Sequence, residues 1–316
     1  MIGQGHEIFV DELTRFASEA SDSRCAEIAH RLAAPLRVAV SGRRGVGRKT
    51  VAHALARVGE SRGTIAVTTS REAEVEVRVI ADVVKPEDRA AITVARRPVL
   101  VVLTKADLIP TSAARARCAQ LSPRIGLPIQ PVVGLLAVAA LDDLLDETMW
   151  AALQVLATQP GEGPVAAELL DILDVFGVEE ALTAIRRSAT REQTCARLRQ
   201  LSRIDDVVGK IESLGAQARY RRMLGASAEL QTLAVTDPQI GEFLSRDDTV
   251  VARMAAAIDV VEAAGINVDR CDSAEAYLRR AVGWQRYRRG PVTGLHHACG
   301  ADIVRGSLRL WSKVGS

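Results

Sequence analysis

The sequence predicts an α/β domain built on a parallel sheet, followed by an all-helical domain. Three observations carry this. Short apolar, β-branched runs alternate with helical segments over residues 36–158. After Gln159 no strand-like alternation recurs, and apolar residues return at helical spacing. Aromatics are only 3% of a chain that is 48% hydrophobic, which favours helix-rich cores of small aliphatic residues.

Residues 1–35 read as helix. Ile8, Leu13, Phe16 and Ala17, then Ile28, Leu32 and Ala33, recur at helical spacing, and Pro35 stops the segment. Residues 36–41 (LRVAVS) read as a strand ending in a glycine-rich turn, and 48–58 as the helix that follows. Strands are expected at 64–68 and 75–81. A helix begins near Pro86, with Glu87 and Asp88 in its first turn. The run PVLVVL (98–103) is uniformly apolar, as in a strand covered on both faces. A helix over 111–121, a strand at 128–133 and a helix over 141–157 complete the domain, with right-handed crossovers between parallel strands. QPGEGP (159–164) reads as a linker. Beyond it, Thr190 with Gln193 forms a capping box, and Val250, Met254, Ile258 and Val261 make one helical stripe. Ser273 caps a helix running to about Arg289. The expected domains are therefore N-terminal helices over 1–35, an α/β domain over 36–158 and a helical domain over 165–316. The N-terminal helices are expected to pack on the helical domain.

Composition limits the function. A net charge of +2, from 41 basic and 39 acidic residues, argues against a protein that grips nucleic acid through bulk charge. Cysteines 25, 118, 195, 271 and 299 are scattered and lack CxxC spacing, so they read as free thiols in a reducing cytoplasm. The start MIGQGHEIFVDELTRF carries acids early and does not read as a signal peptide. The longest apolar run, Val132 to Leu141, has ten residues, whereas a bilayer span takes about twenty. The expected location is the cytoplasm, with peripheral contact at the inner face of the membrane.

The segment Gly42-Arg43-Arg44-Gly45-Val46-Gly47-Arg48-Lys49-Thr50 follows a strand and opens a helix. A phosphate-binding loop belongs there, because glycines let backbone N–H groups turn inward and the helix N-terminus adds positive potential. Gly42, Gly45 and Gly47, with Arg48, Lys49 and Thr50, are the candidate phosphate-contacting residues. A Walker A loop would read GxxxxGK[ST]. Gly42 and Gly47 have that spacing, but Arg48 stands at the lysine position and Lys49 at the Ser/Thr position, with Thr50 one residue late. An ammonium has donors only and cannot ligate Mg²⁺. A one-residue bulge would let Lys49 and Thr50 take the two roles instead.

Thr104-Lys105-Ala106-Asp107 directly follows the apolar strand. It has the pattern [NT]KxD of a guanine-specificity element: aspartate accepts from the base N–H groups and the lysine stem packs on the ring. Thr104, Lys105 and Asp107 complete the candidate nucleotide site. Switch elements are not legible. Between Thr50 and Lys105 the only aspartates are Asp82 and Asp88, and Lys85 and Ala91 stand where a DxxG motif needs glycine. No catalytic residue and no metal ligand is assigned. His296, His297, Cys299 and Asp302 lack the second ligand pair that a zinc site uses. The stretch Arg279–Arg289 reads as a helix with Trp284 inward and arginines in water.

With these elements in hand, the chain resembles the bacterial dynamin-like GTPases of actinobacteria, of the isoniazid-inducible (Ini) type. The resemblance rests on APLRVAVSGRRGVGRKTVAHAL, VLVVLTKADLI and PVVGLLAVAA in the head. Weaker support comes from LLDILDVFGVEEALTAIRR, LSRIDDVVGKIESLGAQARYRRML and WQRYRRGPVTGLHHACGADIVRGSLRLW in the helical part. It implies a P-loop NTPase-like head on a helical stalk, GTP or GDP as ligand, association with membranes and pairing between heads. A degenerate member, a pseudo-GTPase with little or no hydrolysis, would act as partner of an active dynamin-like GTPase, as a hetero-oligomer or by self-association. Two alternatives stay open: a nucleotide-free scaffold that keeps only the fold, and an active GTPase completed in trans by a partner.

Overall fold

The computed structural model describes residues 4–69, 71–105, 111–159 and 164–314. Helices α1 (Gln4–Ala20) and α2 (Ser23–Ala33) precede strand β1 (Leu36–Gly42). There follow α3 (Arg48–Arg62), β2 (Ile65–Val67), β3 (Val75–Ala81), α4 (Pro86–Thr93), β4 (Val99–Thr104) and α5 (Thr111–Leu121). Strand β5 (Ile129–Pro131) leads to α6 (Gly134–Leu141) and α7 (Glu147–Thr158). The rest is helical: α8 (Pro164–Arg186), α9 (Arg191–Ser202), α10 (Ile204–Leu233), α11 (Pro238–Ser245), α12 (Asp247–Ala263), α13 (Ala274–Arg288) and α14 (Gly294–Val314). The chain forms two compact units, Pro35–Ile211 and Met1–Ala34 with Glu212–Ser316.

In the first unit all five expected strands form one parallel sheet in the order β2-β1-β3-β4-β5. Strand β2 adds on one side of β1, and β3 to β5 on the other. That makes a switch point between β1 and β3, where connections leaving the strand ends diverge and open a crevice. Val77, Val79, Val101, Val102 and Leu103 are fully buried, as a parallel sheet covered on both faces requires. Ile80, Val101, Leu103 and Ile129 pack on Cys118 and Leu121 of α5.

The run Val132 to Leu141 behaves differently from expectation. Gly134–Leu141 is the separate helix α6, and the helix expected over 141–157 is broken before α7. Asp143 is left-handed there (φ 52°). Asp146 starts α7 by accepting from the Met149 N–H at 2.9 Å. The reason α6 was illegible is its environment. It packs against α3, α8 and α9, so it has no polar face and no amphipathic period.

Helices α7, α8 and α9 share a core with α6, built on Leu136, Leu153, Leu173, Ala181 and Leu198. Residues up to 211 thus belong to the sheet's unit rather than to the helical one. The division falls inside the continuous helix α10, not at the expected linker, of which 160–163 lie outside the described residues. The capping box opens α9: the Gln193 N–H donates to Thr190 Oγ1 and the Thr190 N–H to Gln193 Oε1.

In the second unit α1 and α2 pack with the later part of α10 and with α11 to α14. Phe9, Leu13, Phe16, Tyr220, Phe243, Val261 and Ile303 are in this core. Val250, Met254, Ile258 and Val261 are buried as one stripe. Ser273 caps α13 by accepting from the Ala276 N–H at 3.2 Å, and Trp284 on that helix is buried. Asp302 accepts from Tyr220 Oη at 2.9 Å and from Arg253 at 3.0 Å. His296 instead meets the Tyr287 hydroxyl at 2.6 Å. Burial pushes the Cys299 thiol up to about 12. His296 thus has its own partner, apart from the Tyr220 hydroxyl that Asp302 accepts from. All five cysteines are free thiols. Among the described residues no helix is long and apolar enough to cross a membrane.

Candidate functional site

Strand β1 delivers the chain to the switch point at Gly42. Only glycine fits there: its φ is +150°, and an added Cβ would lie 2.7 Å from the Val79 carbonyl of β3. Residues 43–47 then turn the backbone into α3. Gly45 and Gly47 are left-handed (φ 81° and 80°), a conformation open to glycine. Val46 between them is buried and anchors the turn. Gly47 is the N-cap of α3 and brings no side-chain cap. The helix starts regularly, with the Val51 N–H donating to the Gly47 carbonyl at 3.0 Å. The N–H groups of Arg48, Lys49 and Thr50 therefore have no acceptor within the helix. They carry the positive end of the helix dipole into a cavity of about 280 Å³, walled by Arg43 to Gly45 and Gly47 to Thr50.

Four cations belong to this loop, and they are not equivalent. Arg43 Nε donates to Asp88 Oδ2 at 3.1 Å. Asp88, on α4, is fully buried and also accepts from Arg78 at 3.0 Å and from the Lys85 N–H at 3.2 Å. Arg44, Arg48 and Lys49 are exposed and make no ion pair among the described residues. Three exposed cations without a described ion pair thus surround backbone donors free within the helix, a combination suited to a polyanion such as phosphate.

Thr104 and Lys105 stand at the end of β4, beside the loop. Thr104 is buried, and its hydroxyl donates to the Val46 carbonyl at 2.6 Å, with the Ile80 carbonyl at 3.1 Å. It fastens the loop to the sheet; its hydroxyl is already engaged by the protein. Lys105 is exposed and left-handed (φ 56°). It lines a second cavity of about 340 Å³ together with Gly47, Thr50, Thr104, Gly134, Leu135 and Asp174. Gly47 and Thr50 line both cavities, so the two adjoin. Asp107 lies outside the described residues.

The structure therefore brings Gly42, Gly45, Gly47, Arg48, Lys49, Thr50, Thr104 and Lys105 to one end of the sheet. Sequence reasoning missed the role of Asp88, placed in a helix first turn and weighed as a failed switch motif, and Asp174, which comes from a helix seventy residues beyond Thr104. The Asp88 contact with Arg43 spans forty-five residues, and Asp174 reaches the cavity through the fold rather than through a local pattern. For a phosphate group the loop fits: glycine backbone, free N–H groups and unpaired cations converge. For Mg²⁺ held in the Walker manner it does not, because an ammonium occupies the hydroxyl position and α3 begins without a bulge. Comparison of the chain with protein-family models and with curated proteins gives no match.

Proposed function

We propose that the loop Gly42–Thr50 binds the phosphates of a nucleotide, GTP or GDP by the resemblance of its motifs, and that the chain hydrolyses it slowly or not at all. The observation that carries this reading is the free donor set at the start of α3. The N–H groups of residues 48–50 open into a cavity flanked by Arg44, Arg48 and Lys49, none of them neutralised by a described carboxylate. A parallel sheet with this loop at its switch point supports a P-loop NTPase-like reading. Lys105 beside the second cavity supports a nucleoside on that side. The lack of a DxxG motif and of a well-placed metal hydroxyl argues for binding without turnover. By the same resemblance, such a pseudo-GTPase would pair with an active dynamin-like GTPase or with itself, near a membrane.

One observation favours the scaffold alternative: Arg43, a loop cation, already has a carboxylate partner inside the protein. Calorimetry separates the two readings. Titration with GTP, GDP, ATP and pyrophosphate, with and without Mg²⁺, should give binding that persists in EDTA and prefers guanine. Absence of binding at millimolar ligand would favour the scaffold.

A further inference from the structure

Helix α8 is interrupted at Asp174, whose backbone has φ 60° and ψ 174°. That region is nearly closed to side-chain-bearing residues and is otherwise left to glycine. The interruption is held in place from both sides. Leu173 is fully buried. Gly177 lies so close to α6 that a Cβ there would sit 2.4 Å from Leu136 Cδ2. The effect is to aim a carboxylate at the second cavity. Asp174 Oδ1 accepts from the Val175 N–H at 2.7 Å; among the described residues Oδ2 has no hydrogen bond or ion pair. Lys105, the other strained residue on this cavity, is left-handed as well.

Charge assigns the two ends. Phosphates are drawn to the loop, where three cations and the helix N-terminus meet, and are repelled by a carboxylate. A carboxylate in the adjoining cavity suits a neutral group that donates hydrogen bonds. The cavity's size, about 340 Å³, suits a small ligand fragment, with Leu135 and Gly134 as its apolar wall. Resting on the nucleotide-binding reading above, we infer that Asp174 is a specificity-determining residue that accepts hydrogen bonds from the nucleoside of the bound nucleotide. The donors are either the N–H groups of the base or the ribose hydroxyls.

The test is calorimetry on the full chain and on Asp174→Asn and Asp174→Gly. Asparagine keeps the size, and glycine removes the carboxylate while suiting the backbone. Both variants should bind GDP at least tenfold more weakly, as for loss of a hydrogen bond to a charged group, and should bind pyrophosphate as the parent does. Asp174→Gly should melt no lower than the parent, which separates the effect from misfolding. IDP, without the exocyclic amine, and 2′-deoxy-GDP distinguish the sources: the analogue that binds the parent weakly and gains nothing from Asp174 identifies the donor. Unchanged GDP affinity in both variants would overturn the assignment. So would parent binding that depends on Mg²⁺, with that dependence lost and nucleoside selectivity kept in both variants, which would make Asp174 a metal ligand. A parent chain that binds neither GDP nor pyrophosphate would overturn the nucleotide-binding reading itself, and the assignment with it.

Discussion

Arg43 Nε lies 3.1 Å from Asp88 Oδ2, and this pair joins the glycine loop to the start of α4. Asp88 has no exposure, and its other oxygen is held by Arg78. Burying a carboxylate is tolerable only with such partners. Asp88→Ala leaves two guanidinium groups facing each other without a counter-charge. It should lower stability by about 3 kcal/mol. Arg43→Ala leaves Asp88 paired with Arg78 and should cost about 1 kcal/mol. Urea unfolding of the two variants and of the double variant measures the coupling. Equal costs for the two single variants would show that the whole contribution of Asp88 runs through Arg43, with Arg78 adding nothing.

The same pair separates Arg43 from the cations expected to meet phosphate. Arg48→Ala and Lys49→Ala should each weaken pyrophosphate and GDP binding about tenfold, the scale of one charge-assisted contact. Arg43→Ala should leave both within about threefold, a margin below one hydrogen bond to a charged group. Single-turnover assays with GTP should show no rate above buffer, with Mg²⁺ or without it. A Mg²⁺-dependent rate that disappears in Thr50→Ala would show that Thr50 supplies the metal hydroxyl after all.

Much of the head was legible because its signals are local. The β1 run, the glycines that follow it and the start of α3 lie within twenty-seven consecutive residues, Leu36 to Arg62. The capping box at Thr190 is likewise a four-residue pattern. What stayed hidden depends on the third dimension. Helix α6 is apolar all round, so no period betrays it. The boundary at Ile211 lies within a helix whose composition does not change there. The motif presents Thr104 as a ligand contact. Its bond to Val46 could not be inferred, since fifty-eight residues separate the two.

That bond gives a further prediction. Thr104→Val keeps the shape and removes the hydroxyl, leaving the buried Val46 carbonyl without this donor. A cost of about 1–2 kcal/mol is expected, and Thr104→Ser should recover most of it. Since the loop is then less tightly held, amide hydrogen exchange at residues 45–48 should quicken and phosphate affinity should fall several-fold in the valine variant alone. A valine variant with parental exchange rates would mean that the loop keeps its shape without the sheet.

The second unit should be acid-sensitive through His6. This side chain is buried in α1, and its Nε2 has no hydrogen-bond partner among the described residues. Burial, and then the charges of Arg219 and Arg222, lower its pKa from 6.5 to about 4. The unfolded chain therefore takes up a proton between those values while the folded one does not. Stability from this residue is fully present above about pH 6.5 and is lost progressively as pH falls to about 4, by about 3 kcal/mol in all. His6→Met fills the site with a group that cannot titrate. Trp150 belongs to the other unit, so Trp150→Phe in both proteins leaves Trp284 and Trp311 as the fluorescent reporters. Urea midpoints at pH 7.5, 6 and 5 should then decline more steeply for the parent than for His6→Met. Parallel declines would assign the acid sensitivity to groups other than His6.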